Sequence, residues 1–519
     1  MADASLIFQR NGTLLVTPGA GLDRTLQIVR QCGQLRAIVA GNYVYDISSA
    51  ALWGAAARGA NASELIDALD RSASMPVPSV IASVIVEQMS RYGAVEIVEQ
   101  DTGPTLVARN ASVLTDIGYD PPSDGSTVVA LNRRDVVKAK LASVEAGWPV
   151  VDRRTMATGA VAITLNDRVH LRPYQSEALA AFRRARDGVI LLPCGAGKTM
   201  VGVAAASEVG GPVLVLAPSR TVGEQWHAAF RESTDCDPAS IAWAGTGGVG
   251  TVVTTVTYHA ATTGNAASDL AGRQWRLVIY DEVQSLPAAV FRLAAGIEAE
   301  RRLGLSATLV REDGREAEVF ALVGPPLYEA SWLELERDGW IAPARCVEIR
   351  VPKAATDADG LRYKMAVVQR LLKQHATEPA IVVGTEIASL QATGRRIGFP
   401  VLTGASSTER RAELLGAFRF GEMATLGLSR IGSVGIDLPD ASVLIQVSGT
   451  FGSRQEEAQR LGRVLRPAPG KTAHFYTIVG AGTRERHFAA RRQRFLVSQG
   501  YNYEIVDASS LRKPAGAPQ

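Results

Sequence analysis

Two adjacent acids, Asp281 and Glu282, directly follow a run of buried-type residues in the segment RLVIYDEVQSLP. A carboxylate at the end of a hydrophobic strand is costly unless it is paired, binds a cation or faces water. One interpretation is a solvated strand terminus. The other is a site in which one carboxylate holds a metal ion and its neighbour acts on a reacting group.

A glycine-rich turn in the segment VILLPCGAGKTMVG favours the second interpretation. Gly195 and Gly197 let backbone N–H groups approach a phosphate, and the helix that follows adds its positive end. Lys198 can reach β- and γ-phosphates, and the Thr199 hydroxyl can hold Mg²⁺. Leu192 occupies the first glycine position of the strict phosphate-loop pattern, so a tight turn with a chance Gly-Lys-Thr is the alternative. The position between an aliphatic strand and a helix favours phosphate binding.

Three arginines in the segment EEAQRLGRVLRP recur at helical spacing, at Arg460, Arg463 and Arg466. Residues three apart share a helix face. Planar guanidinium groups suit the charge that spreads over a γ-phosphate during its transfer. A basic, solvated helix is the alternative. If the arginines do act, they complete from a second region a site that begins in the first.

Short aliphatic runs alternate with helical patterns from about residue 167 onward, and these runs must position the candidate residues. One series extends from VILLP at 189 to RLGLSAT at 302, and a second from AIVVG at 380 to AHFYTIV at 473. Continuous apolar strands separated by helices indicate parallel sheets covered on both faces. We therefore expect two α/β domains that divide near residues 338–346. Strand carboxyl ends face the ligand crevice in such folds, which gives Asp281 the Mg²⁺ and Glu282 the attacking water.

The first 165 residues lack this alternation and are typical of a mixed α+β region. Helical spacing occurs at 62–71 and at 78–93, where Pro78 and Gly93 stand at the positions typical of helix ends. The run AVEIVE then predicts a strand. A winged-helix-like unit that contacts DNA and an ordinary structural module both fit this order. The last residues, 506–519, are rich in small residues and proline and are expected to form a disordered tail.

Composition limits the possible classes of protein. The chain has 519 residues, 46% hydrophobic and 21% charged, which indicates about three globular domains. Its net charge of +3 is too small to indicate nucleic-acid binding by itself. We expect a cytoplasmic protein with no membrane segment, because the chain shows neither a signal peptide nor a long apolar run. Its cysteines are scattered and form no C-x-x-C pair, which argues against cysteine-based metal sites: Cys32, Cys194, Cys236 and Cys346.

Six segments between residues 171 and 467, taken in order, resemble superfamily 2 helicases and translocases, particularly bacterial members of the XPB type. The segments are LRPYQSEAL, LPCGAGKT, IYDEVQSLPAAVFR, LGLSATLVREDGR, GIDLP and VSGTFGSRQEEAQRLGRVLRP. The resemblance implies two tandem RecA-like domains, at 166–343 and 344–505, preceded by the accessory region at 1–165. It also implies ATP and Mg²⁺ as cofactors and 3′-to-5′ movement on DNA, usually in DNA repair.

Roles for individual residues follow from the same resemblance. Arg172 and Gln175 would recognise the adenine. ATP would also contact the following residues: Pro193, Cys194, Gly195, Ala196, Gly197, Lys198, Thr199, Gly435, Asp437 and Gln459. Catalysis would use Lys198, Asp281, Glu282 and Gln284 together with the finger arginines Arg463 and Arg466. Contact with DNA, and its coupling to hydrolysis, would use Ser306, Thr308, Arg311, Glu312 and Asp313.

Two departures from the family pattern leave the detailed activity open. Gln284 stands where the family usually has histidine, and the segment at 351–368 is shorter than the corresponding thumb-like insertion of bacterial relatives. A translocase without strand separation and an ATP-gated clamp on nucleic acid therefore stay as alternatives. An RNA helicase is a further alternative, because the same ATP-driven engine can act on either DNA or RNA. The expected partner is single-stranded or junction DNA bound with little sequence preference, and a nuclease or repair protein is a further candidate. The chain is expected to be a monomer.

Overall fold

The structure is a computed structural model of the chain, and its contacts divide the chain into two units. One unit comprises Met1–Leu192 with Gly197–Ala330, and the other comprises Pro193–Ala196 with Ser331–Gln519. The described residues are 6–9, 12–39, 41–155, 159, 161–193, 195–244, 248–285, 288–307, 316–352, 357–429, 441–447, 471–480, 485–498, 501 and 503–511.

The described residues of the N-terminal region of the first unit form two small sheets and six α-helices. Its strands are β1 (Leu6–Phe8), β2 (Thr13–Val16), β3 (Gly33–Val39), β4 (Asn42–Ile47), β5 (Val95–Gln100), β6 (Gly103–Ala108), β7 (Val128–Ala130) and β8 (Val150–Asp152). Its helices are α1 (Leu22–Val29), α2 (Ser49–Ala57), α3 (Ala62–Ser72), α4 (Ser79–Arg91), α5 (Ala111–Asp116) and α6 (Val136–Glu145). The sheets have the orders β1-β2-β4-β3 and β7-β6-β5-β8. The mixed α+β character of this region is confirmed.

Three helices followed by an antiparallel hairpin, α2-α3-α4-β5-β6, form the centre of this region. The helices expected at 62–71 and 78–93 are present as α3 and α4. α3 begins where the Asn61 side chain accepts a hydrogen bond from the Ser63 N–H, and its burial repeats every four residues, at Leu65 and Leu69. This order agrees with a winged-helix-like unit. Its contact with DNA stays a prediction.

The rest of the first unit is a seven-stranded parallel sheet covered by helices. Its strands are β9 (Gly188–Leu191), β10 (Val213–Ala217), β11 (Ile241–Trp243), β12 (Val253–Thr257), β13 (Trp275–Asp281), β14 (Ala299–Ser306) and β15 (Pro326–Glu329). Its helices are α7 (Pro173–Ala185), α8 (Lys198–Val209), α9 (Arg220–Ser233), α10 (Tyr258–Thr262), α11 (Gly264–Ala271), α12 (Ala288–Ala295) and α13 (Glu316–Leu322). The next helix along the chain, α14 (Trp332–Arg337), belongs to the second unit. The strand order is β11-β12-β10-β13-β14-β9-β15. Every residue of β9 and β10 is buried, as continuous apolar strands require.

The N-terminal region shares one hydrophobic core with this parallel sheet. Trp53 of α2 and Val144 of α6 belong to the same buried cluster as Val189 of β9. α2 lies so close to β15 that a Cβ atom on Gly54 would be 2.1 Å from the carbonyl oxygen of Pro326. The accessory region is therefore packed into the first unit and is not tethered to it by a linker alone.

The second unit contains another seven-stranded sheet, whose strand pairs are all parallel. Its strands are β16 (Ala344–Val351), β17 (Ala380–Gly384), β18 (Val401–Leu402), β19 (Thr425–Ser429), β20 (Val443–Gln446), β21 (Ala473–Gly480) and β22 (Tyr503–Asp507), in the order β18-β19-β17-β20-β21-β16-β22. Its remaining helices are α15 (Asp357–Gln374), α16 (Ile387–Ile397), α17 (Thr408–Arg419) and α18 (Glu485–Ser498). The predicted fold class, two tandem parallel-sheet domains after a mixed region, is confirmed.

The exact domain boundaries proposed from the sequence stay a prediction. Strand β22 continues to Asp507 and so includes the first two residues of the predicted tail, and the residues after 511 are outside the described part of the chain. No described helix combines the length and the apolarity that crossing a membrane requires.

Candidate active site

The candidate residues of the first unit meet because three neighbouring parallel strands end at one edge of the sheet. In the register of β13 and β14, Asp281 lies beside Leu305, and in that of β14 and β9, Ser306 lies beside Leu191. The Leu192 N–H donates to the Ser306 carbonyl oxygen at 2.9 Å, so the chain enters the glycine turn next to the end of β14. Segments far apart in sequence thus place their polar residues together.

The glycine turn has the backbone conformation that glycine permits. Gly195 and Gly197 have φ angles of 85° and 77°, and Gly197 is the N-cap of α8. A Cβ atom on Gly197 would be 2.5 Å from Nε2 of Gln175. Lys198 and Thr199 are the first two residues of α8, so both lie at the positive end of its dipole. The turn is shaped for a close approach of an anion to the backbone.

Lys198 and Glu282 form the central ion pair of the site. Their Nζ and Oε1 atoms are 3.2 Å apart, and their side chains are 11% and 12% exposed. Nζ of Lys198 also lies 3.5 Å from the Leu192 carbonyl oxygen. Glu282 has a φ of 48°, which is uncommon for a residue other than glycine. Such strain is typical of positions that aim a functional side chain.

Asp281 is buried behind this pair and is held by an aromatic side chain. Trp226 of α9 donates from Nε1 to Oδ2 of Asp281 at 2.7 Å, and the Tyr258 hydroxyl donates to the Asp281 carbonyl oxygen at 3.0 Å. Burial, and then the negative charge of Glu282, raises the pKa of Asp281 to about 6. Sequence reasoning missed Trp226 and Tyr258, because neither residue type nor spacing connects them to a strand end so far along the chain.

Gln284 connects Glu282 to Ser306. Its Nε2 donates to Oε2 of Glu282 at 2.6 Å, and its Oε1 accepts a hydrogen bond from the Ser306 hydroxyl. Both Gln284 and Ser306 are buried. A continuous chain of hydrogen bonds therefore joins the carboxylate that faces Lys198 to the end of β14.

Arg172 and Gln175 lie at the start of α7, next to the glycine turn. Oε1 of Gln175 accepts from the Arg172 N–H at 2.9 Å, and its Nε2 lies 3.4 Å from the Gly197 carbonyl oxygen. Nη1 of Arg172 donates to the Tyr174 hydroxyl at 3.1 Å. Gln175 thus caps its own helix and supports the turn at once. Its contact with adenine stays a prediction.

Many of the predicted site residues lie outside the part of the chain that the structure describes, so their distances from the residues above are not defined. Pro193, Gly195 and Ala196 belong to the described turn. The following residues lie outside the described part of the chain: Cys194, Thr308, Arg311, Glu312, Asp313, Gly435, Asp437, Gln459, Arg463 and Arg466. Their roles stay predictions from the sequence.

The described residues form a donor set suited to phosphate and a divalent cation. An ammonium group and a helix N-terminus attract phosphate oxygens. The Thr199 hydroxyl and the Asp281 carboxylate are oxygen ligands of the kind that Mg²⁺ prefers. The Glu282 carboxylate is held on both sides, by Lys198 and by Gln284, and a carboxylate fixed in this way has the chemistry that a general base requires.

Three family models match the chain. Residues 362–515 match "ERCC3/RAD25/XPB C-terminal helicase", and residues 168–311 match "Type III restriction enzyme, res subunit". Residues 6–131 match "Helicase conserved C-terminal domain", although they lie at the N-terminus of this chain.

The fold resembles that of two solved structures. Dbp5 of S. cerevisiae bound to RNA and ADP BeF3 is 15% identical, with a TM-score of 0.51 over 65% of this chain and 90% of that one. The type ISP restriction-modification enzyme LlaBIII bound to DNA is 14% identical, with a TM-score of 0.51 over 66% of this chain and 32% of that one. At these identities the likeness concerns the fold alone.

Relatives of known name match the chain over almost its entire length. The DNA 3′-5′ helicase XPB of Kineococcus radiotolerans is 39% identical over 98% of both chains. The DNA 3′-5′ helicase XPB of Mycobacterium tuberculosis is 39% identical over 99% of this chain and 100% of its own. The XPB/SSL2 subunit of Saccharomyces cerevisiae is 30% identical over 89% of this chain and 67% of its own. The chain therefore belongs to the XPB family of superfamily 2 helicases.

Proposed function

We propose that this protein is an ATP-dependent DNA helicase or translocase that moves 3′ to 5′ and acts in DNA repair. The observation that carries the proposal is the pairing of Lys198 with Glu282 at 3.2 Å, next to a glycine turn and a buried aspartate. A Gly-Lys-Thr turn that arose by chance would not be expected to lie against an acidic strand end with a strained backbone. Family membership supports the same activity, because the bacterial relatives are named DNA 3′-5′ helicases.

The described residues fit ATP and Mg²⁺. Gly197 has a φ of 77°, and a glycine in this conformation lets backbone N–H groups of the turn approach a phosphate. Thr199 and Asp281 would hold the Mg²⁺, whose charge compensates the two adjacent carboxylates at the end of β13. Bound there, the metal ion would supply positive charge that neutralises the charge developing on phosphate oxygens.

Hydrolysis would use Glu282 as the base. In the described structure Lys198 holds the Glu282 carboxylate, and a triphosphate would compete for the same ammonium group. Release from Lys198 would free Glu282 to accept a proton from the attacking water while Gln284 keeps its orientation. Arg463 and Arg466 are proposed, from the sequence, to contact the γ-phosphate from the second domain.

Coupling of hydrolysis to movement would use the hydrogen bonds from Glu282 through Gln284 to Ser306. Glutamine has both a donor and an acceptor on its amide, so it can connect a carboxylate to a hydroxyl without changing protonation state. Loss of the Ser306 hydroxyl should leave basal hydrolysis and reduce its stimulation by DNA roughly two- to tenfold, the cost of one hydrogen bond. Thr308, Arg311, Glu312 and Asp313 are proposed, from the sequence alone, to contact DNA and to take part in the same coupling.

DNA is the proposed partner, bound mainly through its backbone and with little sequence preference. Single-stranded DNA or a junction with duplex is the proposed form. Eukaryotic relatives are named as subunits of general transcription and DNA repair factor IIH, which supports a role in repair and contact with other repair proteins. A nuclease partner and a monomeric state are further parts of the proposal.

One observation favours a translocase with weak strand separation as the second candidate. Strand β16 ends at Val351 and helix α15 begins at Asp357, which leaves five residues between them. That length is too short for a separate inserted domain. If the thumb-like insertion of relatives contributes to the separation of duplexes, this chain should move on DNA more effectively than it unwinds it.

The decisive experiment compares ATP hydrolysis and strand displacement in wild type, Glu282→Gln and a control, Glu224→Gln. Glu224 is 49% exposed in a surface pair with Arg220, so its variant should behave as wild type. We expect Glu282→Gln to bind ATP and to hydrolyse it at least 10²-fold more slowly, as loss of a general base predicts. Near-normal turnover in Glu282→Gln would refute its assignment as the base.

The choice of polynucleotide separates the rival activities. Hydrolysis stimulated by DNA but not by RNA supports the proposal, and the reverse identifies an RNA helicase. Hydrolysis with movement on DNA but no strand displacement identifies the translocase. ATP binding that tightens the grip on DNA, without DNA-stimulated turnover, identifies a clamp.

A further inference from the structure

Three side chains of metal-binding types lie together in the second unit, and none of them has been assigned a role above. They are His375 and Glu378, which follow α15, and His474, the second residue of β21. Their ligand atoms all lie within 4.8 Å of one another, and in the part of the chain that the structure describes no other group of three such residues is this close.

This cluster, the His-Glu-His cluster, lies at the amino end of the second sheet. His474 is paired with Arg345 of β16 and Val443 of β20, near the starts of both strands. From His474 to the end of β21 the strand extends for about 20 Å, at roughly 3.3 Å per residue. Parallel α/β sheets bind nucleotides at their carboxyl ends, so the cluster is separate from the edge that this fold uses for ligands.

His375 is already oriented as a metal ligand is in proteins. Its Nδ1 is 2.7 Å from Oε1 of Glu378, and its Nε2 is 2.8 Å from the Tyr476 hydroxyl. A phenol can donate or accept, so the ring can carry its proton on either nitrogen. When Nε2 carries the proton and donates it to the Tyr476 hydroxyl, Nδ1 has a lone pair that can bind a metal ion. The neutral ring then neither gains nor loses a proton when the metal ion binds. A hydrogen bond to the opposite ring nitrogen is the usual support of a ligating histidine.

His474 has a buried nitrogen without a hydrogen-bond partner among the described residues. The atom is Nδ1, which is shielded from solvent. The ring centroid of His474 is only 4.5 Å from that of His375. A buried polar atom without a partner costs free energy, and a metal ion would remove this cost.

We propose that His375, Glu378 and His474 bind one divalent transition-metal ion of the zinc, cobalt or nickel class. Two imidazoles and a carboxylate suit such ions, whereas Mg²⁺ and Ca²⁺ prefer oxygen ligands throughout. Ligands of a tetrahedral ion with bonds of about 2.0–2.1 Å are about 3.3 Å apart, so the side chains must move by about 1.5 Å or less. Water would take the fourth position. The ion would join the end of α15 to the start of β21.

The test is metal binding by the purified full-length protein, stripped of metal by a chelator and kept free of nucleotide. Isothermal titration with Zn²⁺ should give one site per chain, and Co²⁺ should give the visible absorption of a tetrahedral complex. His474→Ala should weaken Zn²⁺ binding at least about tenfold, as should Glu378→Gln. Zn²⁺ should raise the melting temperature of the wild type and not that of these variants.

His487→Ala is the matched control, because it removes an exposed imidazole from helix α18 of the same unit. It should bind Zn²⁺ as the wild type does. Glu378 is 34% exposed, so Glu378→Gln should fold normally. If His474→Ala does not fold, the Zn²⁺ affinity of Glu378→Gln alone tests the proposal. Absence of a stoichiometric site in wild type, or equal affinity in wild type and Glu378→Gln, overturns the proposal. The outcome is independent of ATP hydrolysis and leaves the proposed function untouched.

Discussion

Replacement of Asp152 by asparagine should destabilise the first unit strongly, because Asp152 is the shared acceptor of three buried cations. It accepts from Lys140 at 2.7 Å, from Arg154 at 2.8 and 2.9 Å, and from Arg302 at 3.3 Å. All four side chains are between 3% and 6% exposed. These residues come from α6, from β8 and the segment after it, and from β14, so the cluster connects the N-terminal region to the parallel sheet.

The expected cost is about 3–5 kcal/mol, the usual result when one partner of a buried ion pair is removed and the opposite charge stays buried. Such a loss is a large part of the roughly 5–15 kcal/mol that stabilises a typical protein. Asp46→Asn is the control. Asp46 pairs with Arg36 at 3.5 Å, with side chains 50% and 61% exposed, and surface pairs contribute only about 0–1 kcal/mol.

Urea unfolding followed by tryptophan fluorescence at pH 7 measures both variants. Burial alone would raise the pKa of Asp152, but the charge of Lys140 and the hydrogen bonds from Arg154 hold it well below its ordinary value. A carboxyl whose pKa is lowered by folding stabilises the protein above its unfolded pKa, about 3.9, and loses this effect as the pH falls below that value. The wild type should therefore lose stability below about pH 4, and Asp152→Asn should show a weaker dependence there. A loss under 1 kcal/mol at pH 7 would show that the cluster contributes no net stability.

Three further predictions concern the turn, the junction with β15 and the second domain. Gly197→Ala should weaken ATP binding at least about tenfold, because alanine at a φ of 77° costs about 1–2 kcal/mol and its Cβ would contact the Gln175 side chain. Gly416→Ala is the control and should bind ATP normally, because no atom lies within 4 Å of a Cβ at that position. Arg58→Ala should lower the free energy of unfolding, measured in urea, by about 1–3 kcal/mol, because two carbonyl oxygens of β15 lose their hydrogen-bond donor. A loss no larger than that caused by replacing an exposed surface arginine would contradict this prediction. Arg463→Ala should lower ATP turnover about 10³-fold with an unchanged unfolding midpoint, and unaffected turnover would remove it from the site.

The sequence predicted the parts of the site that local chemistry dictates. A glycine turn between an apolar strand and a helix is typical of phosphate binding. An acidic pair that follows a buried strand lies at the strand's carboxyl end, where folds of this kind bind ligands. Residue type and position therefore singled out Lys198 and Glu282, and the two side chains lie in contact. The sequence could not say how Asp281 is held, because its partner Trp226 is 55 residues away and belongs to an ordinary amphipathic helix.

The sequence by itself determined the two parallel sheets, since continuous apolar runs between helical patterns can bury both faces only in that architecture. It did not determine where the N-terminal region packs. Only the tertiary structure decided that Arg58 donates to a carbonyl 269 residues away, and that Asp152 meets Arg302 across 150 residues. The physical reason is that hydrophobic periodicity specifies which face of an element is buried. The neighbour that covers this face is chosen by packing and by charge pairing between distant segments, which no local pattern encodes.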